Sequence, residues 1–100
     1  MAKTQTSRTR QARYKEKEPS LWNVIMHNDD VTTMDFVVMV LKRVFHKTEE
    51  DAETVMLKIH NEGAAVVGTY YRDIAMSKAN YTMALAKANE FPLTLTTEEA

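Results

Sequence analysis

The sequence predicts an α+β domain of order β-α-α-β-α-β, with a three-stranded, mainly antiparallel sheet packed against three helices. Three observations lead there. Short apolar runs at Trp22 to His27, Ala65 to Tyr70 and Leu93 to Thr96 have the length and residue types of strands. Three longer segments between them carry helix-start and helix-stop residues. Composition, at 44% hydrophobic and 27% charged over 100 residues, is that of one globular domain with a modest core.

Met1 to about Ser20 is polar and nearly free of large apolar side chains, so it cannot bury enough surface to offset its ordering entropy. It is expected to be a disordered basic arm (1–20), with Pro19-Ser20 as its boundary and residues 21–100 as the folded core. Trp22 to His27 forms the first strand. Phe36-Val37-Val38-Met39-Val40-Leu41 is rich in β-branched residues, but its surroundings favour a helix. Thr32 can cap it with Asp35 at the third helical position. Lys42, Arg43 and Lys47 gather where a helix C-terminus attracts cations. Apolar residues on all sides fit a buried helix.

The second helix starts at Thr48, with Glu49, Glu50 and Asp51 complementing the dipole and Ala52, Val55, Met56 and Ile59 recurring at helical spacing. Gly63 is the residue that ends it. After the second strand, a third helix is expected from about Arg72 to Ala88, with Ile74, Tyr81 and Leu85 on one face. Pro92 blocks its extension and the last strand follows.

Charge is unevenly divided. Residues 1–20 carry six Lys or Arg against two Glu, whereas residues 21–100 carry seven against twelve acids. The core has neither the basic stripe nor the interleaved aromatics of a nucleic-acid surface, so no nucleic-acid partner is expected. No apolar run approaches the roughly 20 residues that span a bilayer, and no membrane association is expected. The absence of cysteine rules out disulfides and thiol catalysis and fits the cytoplasm.

An enzyme needs a nucleophile with its base, a metal cluster or a tuned carboxylate pair. His27, His46 and His60 lack metal-ligand spacing, and Asp29 and Asp30 are sequence neighbours rather than partners across a cleft. Two glycines, Gly63 and Gly68, do not make a phosphate loop. A non-enzymatic protein without cofactor or metal is expected. The notable stretch is His27-Asn28-Asp29-Asp30-Val31-Thr32-Thr33-Met34, where a strand ends in an amide and two carboxylates before an apolar helix. Asn and Asp there are turn formers, but acceptors at the mouth of an apolar groove also suit a cationic ligand. His60 lies at the edge of the second helix's apolar face. Met34, Val37 and Met56 would be ordinary core residues, although methionines also line adaptable pockets.

HNDDVTTMDFV, MLKIHNEG and the closing PLTLTTEEA, in this order and spacing, resemble the bacterial adaptor family ClpS over about residues 21–100. The resemblance implies an adaptor, expected to be monomeric. It would bind N-degrons, proteins beginning with Leu, Phe, Tyr or Trp, and pass them to the AAA+ unfoldase ClpA for degradation by ClpP. It implies that Asn28, Asp29 and His60 contact the ligand's α-amino group and first peptide unit. Asp30, Thr32, Met34, Val37, Met56, Ile59 and Leu93 would line or support the side-chain pocket. Asp73 and Lys78 would face the unfoldase, and the basic arm would serve delivery. The chain departs from the family pattern at Val31 and Thr33, where many members have an aromatic residue and Pro, at Asp73, usually Glu, and at Tyr71, often a capping Thr. The other reading is a docking module like the ribosomal stalk protein's C-terminal domain, which assigns no role to Asn28, Asp29 and His60.

Overall fold

The computed structural model describes residues 20–100, so the expectation of a disordered arm falls, except for Ser20, outside the described residues. The order is β1 (Leu21–His27), α1 (Met34–Arg43), α2 (Glu49–Glu62), β2 (Ala64–Tyr71), α3 (Arg72–Ala88) and β3 (Thr94–Glu99), as the sequence predicts.

β1 is central, antiparallel to β2 on one side and β3 on the other. Strand side chains alternate between faces. Val24, Met26, Ala65, Val67 and Leu95 are buried toward the helices, while Leu21, Val66, Thr69 and Thr96 are exposed on the other face. Val24 pairs with Gly68 and Ile25 with Val66, so Val67 is an extra residue in β2, a β-bulge. The Tyr70 ring lies over Gly68, where an added Cβ would sit 2.5 Å from the phenol oxygen. Any side chain at this position would require the Tyr70 ring to move aside.

Two helices differ from expectation in how they face the core. α1 is amphipathic, not buried all round: Phe36, Val37, Val40 and Leu41 are buried, Val38 and Met39 are half-buried, and Met34 is exposed. Its cap is Thr33, one residue later than expected. Thr33 Oγ1 accepts from Phe36 N at 3.2 Å, because the Thr32 N–H and hydroxyl both turn back to Asp29. Asp35 is thus the second helical residue, and no capping box forms.

α2 follows its sequence signals. Thr48 Oγ1 accepts from Asp51 N at 3.1 Å, and Gly63 ends the helix in the left-handed region at φ 90. α3 begins at Tyr71 without a side-chain cap, as the loss of a capping Thr implies. Its expected apolar face is corrected: Ile74 (47%) and Tyr81 (59%) are exposed and Leu85 is half-buried. The buried residues are Ala75, Ala79, Thr82 and Ala86. These small side chains let the helix lie close on the sheet, which larger ones would hold off. At its end the N–H groups of Glu90 and Phe91 bond to the carbonyls of Lys87 and Ala86, with Glu90 at φ 63. Phe91 then packs on Phe36 with ring centroids 4.9 Å apart, tying the end of α3 to α1. No helix among the described residues is long and apolar enough to cross a membrane.

Candidate functional site

The first strand and the end of α2 meet at one backbone bond. Asn28 N donates to Gly63 O at 2.8 Å, and Gly63 N donates to Ile59 O at 2.9 Å. Gly63 can turn its carbonyl toward Asn28 because its left-handed φ costs glycine little. The two bonds tie the strand end to the last turn of α2, which carries His60.

The loop from Asn28 to Thr33 is organised by the Asp29 carboxylate. Its Oδ1 accepts from Val31 N at 2.8 Å and Thr32 N at 2.7 Å. Its Oδ2 accepts from the Thr32 hydroxyl at 2.7 Å. Partial burial pushes the Asp29 carboxyl up, but the two Thr32 donors and the Val31 N–H outweigh it and hold the group below its ordinary range. A carboxylate has about four acceptor positions. Three are in use, and the remaining one is on Oδ2.

Between this loop, the start of α1 and the end of α2 lies a cavity of about 230 Å³, lined by Asn28, Asp29, Asp30, Thr32, Met34, Val37, Met56, Ile59 and His60. Its size is below the roughly 300–1,000 Å³ of small-molecule sites and suits a single large side chain. The floor is apolar: Val37 and Ile59 are 7% and 3% exposed, and Met56 is half-buried. Met34, 47% exposed, stands at the surface. Asn28 and His60 are exposed, so the polar groups sit on the rim. Such a cavity can hold an apolar side chain while the rim accepts hydrogen bonds from an attached cation. Two larger depressions, about 510 and 560 Å³, lie along α1 against α3 and α2. In the second, Lys42 and Glu49 pair with each other at 2.9 Å.

Nine of the ten residues expected at the amino group and side-chain pocket line this cavity. Leu93, the tenth, is 5% exposed in the core and does not line it. Asp73 and Lys78 are on α3. Asp73 is exposed, whereas Lys78 Nζ donates to Val44 O at 2.7 Å and lies 5.1 Å and 5.9 Å from the ring centroids of Tyr70 and Phe45. The sequence reading gave no role to Thr33 or to the Gly63 carbonyl. Two adjacent threonines leave the cap position open, and nothing in a sequence marks a carbonyl as the partner of a residue 35 positions away. The described residues include no group of three His, Cys, Asp or Glu able to hold a metal.

Fold and cavity together define a small α+β domain with an apolar hole whose rim is polar. Comparison with known proteins makes this specific. Residues 17–96 match the family described as ATP-dependent Clp protease adaptor protein ClpS. The ClpS adapter of Vibrio atlanticus is 47% identical over 87 residues, covering 87% of this chain and 82% of that one. That of Campylobacter jejuni strain RM1221 is 44% identical over 99 residues, 99% of each chain. Among solved structures, Agrobacterium tumefaciens ClpS2 bound to L-phenylalaninamide is similar with a TM-score of 0.80 and 43% identity, covering 83% of this chain and 100% of that one. The chain belongs to the ClpS family of Clp protease adaptors, as its motifs suggest, and it has the fold of a family member.

Proposed function

We propose that the protein captures polypeptides by a free N-terminus whose first residue is Leu, Phe, Tyr or Trp and delivers them to a ClpA-type AAA+ unfoldase. It acts without catalysis or cofactor, as a cytoplasmic monomer. The observation behind this reading is the small apolar cavity with Asn28, Asp29 and His60 on its rim. An α-ammonium brings donors and needs acceptors. The Asn28 carbonyl, the open position on Asp29 Oδ2 and a neutral His60 ring nitrogen supply them. The first side chain enters between Val37, Met56 and Ile59. The phenylalaninamide bound by the Agrobacterium protein has these two features, a free amino group beside a benzyl side chain. The stalk-type docking reading gives the cavity nothing to do.

Capture and delivery are separable in this scheme. The basic arm, residues 1–20, serves delivery, and the core binds the peptide. Titration with a peptide beginning with Phe, free and N-acetylated, tests capture: binding of the free form and loss of at least tenfold on acetylation are expected. Equal affinities would refute it. Removing residues 1–18 should leave peptide affinity unchanged while degradation of an N-degron substrate by the unfoldase and protease falls. Unimpaired degradation would exclude the arm from delivery.

A further inference from the structure

The geometry points to Thr32 as a positioning residue for the α-ammonium acceptor, acting through Asp29, rather than as a wall of the side-chain pocket. This inference rests on the capture reading. The Thr32 hydroxyl donates at 2.7 Å to Asp29 Oδ2, the oxygen that keeps an open acceptor position. The backbone N–H groups of Val31 and Thr32 fill Oδ1. With Oδ1 filled by two donors and Oδ2 held by one, the carboxylate plane is fixed and the last lone pair has one direction. A hydroxyl donating to a carboxylate also favours its ionised form. That form is needed opposite an ammonium. Thr32 is half-buried and precedes the cap residue Thr33, so the helix start does not depend on its side chain.

The Thr32→Val substitution keeps shape and backbone N–H and removes only the hydroxyl. Titration with a free peptide beginning with Phe should show a loss of roughly three- to tenfold, the range of one hydrogen bond. Thr32→Ser should restore affinity. The order among first residues Phe, Leu and Trp should not change. In the Asp29→Ala background, Thr32→Val should cost nothing further, because the two act as one unit. The full loss in that background, a changed order of first residues, or failure of Thr32→Ser to rescue would each overturn the inference.

A second measurement does not use peptide. The Asp29 carboxyl-carbon resonance, followed through acid titration of the full chain, should show a higher midpoint in Thr32→Val and a near-wild-type one in Thr32→Ser. The other ionisable groups nearby are Asp30 and His60, which line the same cavity, and Asp35, in the first turn of α1; the carboxyl carbons of Asp30 and Asp35 have resonances separate from that of Asp29. An unchanged Asp29 midpoint overturns the coupling, whatever the peptide data show. Failure of the wild-type protein to prefer the free over the acetylated peptide instead identifies the capture reading as the one at fault.

Discussion

The cavity end of the molecule and α3 both carry charged residues that family resemblance would turn toward a partner, but they hold them differently. At the cavity, nine expected residues from a loop and two helices line one hole, and polar capacity remains on Asn28, Asp29 Oδ2 and His60. On α3, Lys78 is already committed to Val44 O and to two aromatic faces, while Asp73 stands exposed in the first turn. A cation on the last carbonyls of α1 is a helix-ending device. The contrast teaches that convergence with spare hydrogen-bonding capacity supports a binding role, and that a charge position alone does not.

The largest expected effect falls on Asp29, which organises the loop and, in the proposed capture, also offers the acceptor. Asp29→Ala should lower affinity for a free peptide beginning with Phe by well over tenfold, since charge-assisted bonds contribute about 1.5–3 kcal/mol each. The pH sign follows from the lowered carboxyl. A group whose folded value lies below its unfolded one stabilises fully above the unfolded value, and the contribution is lost as pH falls through the folded value. Wild-type stability should therefore decline through the acid range below 3.8, the ordinary Asp value, and Asp29→Asn should remove that part of the slope. Urea melts at stepped pH measure it. An unchanged slope would show that the loop bonds do not hold the carboxylate ionised.

How far this division was legible from residues alone differs by element. Thr48, Gly63 and the span from Arg72 to Ala88 follow local chemistry, and local chemistry is written in the sequence. The buried face of α3 was not legible, because large apolar side chains outweigh alanines in any periodicity count. The packing chose Ala75, Ala79 and Ala86 for closeness and left Ile74 and Tyr81 outside. The bulge at Val67 is a shift in how β2 pairs with β1, and pairing register across strands far apart in the chain has no local signature. That nine of ten expected residues share one cavity follows from a resemblance of motifs, not from composition or periodicity. The use of Asp29 within its own loop, and of Lys78 against Val44, needed coordinates.

Lys78 gives the next effect. Lys78→Met keeps the aliphatic stem but removes the donor to Val44 O and the cation over Tyr70 and Phe45. Stability should fall by about 1–2 kcal/mol in urea denaturation, with peptide affinity unchanged. If stability holds and delivery to the unfoldase fails, Lys78 faces the partner and the contrast with the cavity breaks. At the cavity, Met34→Ala tests shape. A β-branched first residue carries bulk beside its Cα and is stiff at χ1, so wild-type protein should prefer Leu over Ile, and the substitution should narrow that preference several-fold. Equal wild-type affinity for Leu and Ile would remove Met34 as a gate.

The smallest effects come from two helix ends that use the same left-handed turn with different residues. α2 ends on Gly63 at φ 90 beside the cavity, and α3 is followed, after its cap Asn89, by Glu90 at φ 63, which does not line the cavity. A side chain in this region costs about 1–2 kcal/mol, and glycine gives part of that back through the freedom it adds to the unfolded chain. Glu90→Gly should therefore stabilise the protein by about 0.5–1 kcal/mol without changing peptide affinity. Gly63→Ala should destabilise it by about 1 kcal/mol. An added Cβ there meets nothing within 4 Å, so that cost is backbone strain alone. The binding readout separates the two ends. The Gly63 carbonyl holds Asn28 N, so strain at Gly63 should shift the rim and weaken the free peptide, whereas relief at Glu90 should not. Melting curves and titrations of both variants decide it: equal peptide affinities would mean that the tie from α2 to the loop positions nothing in the site.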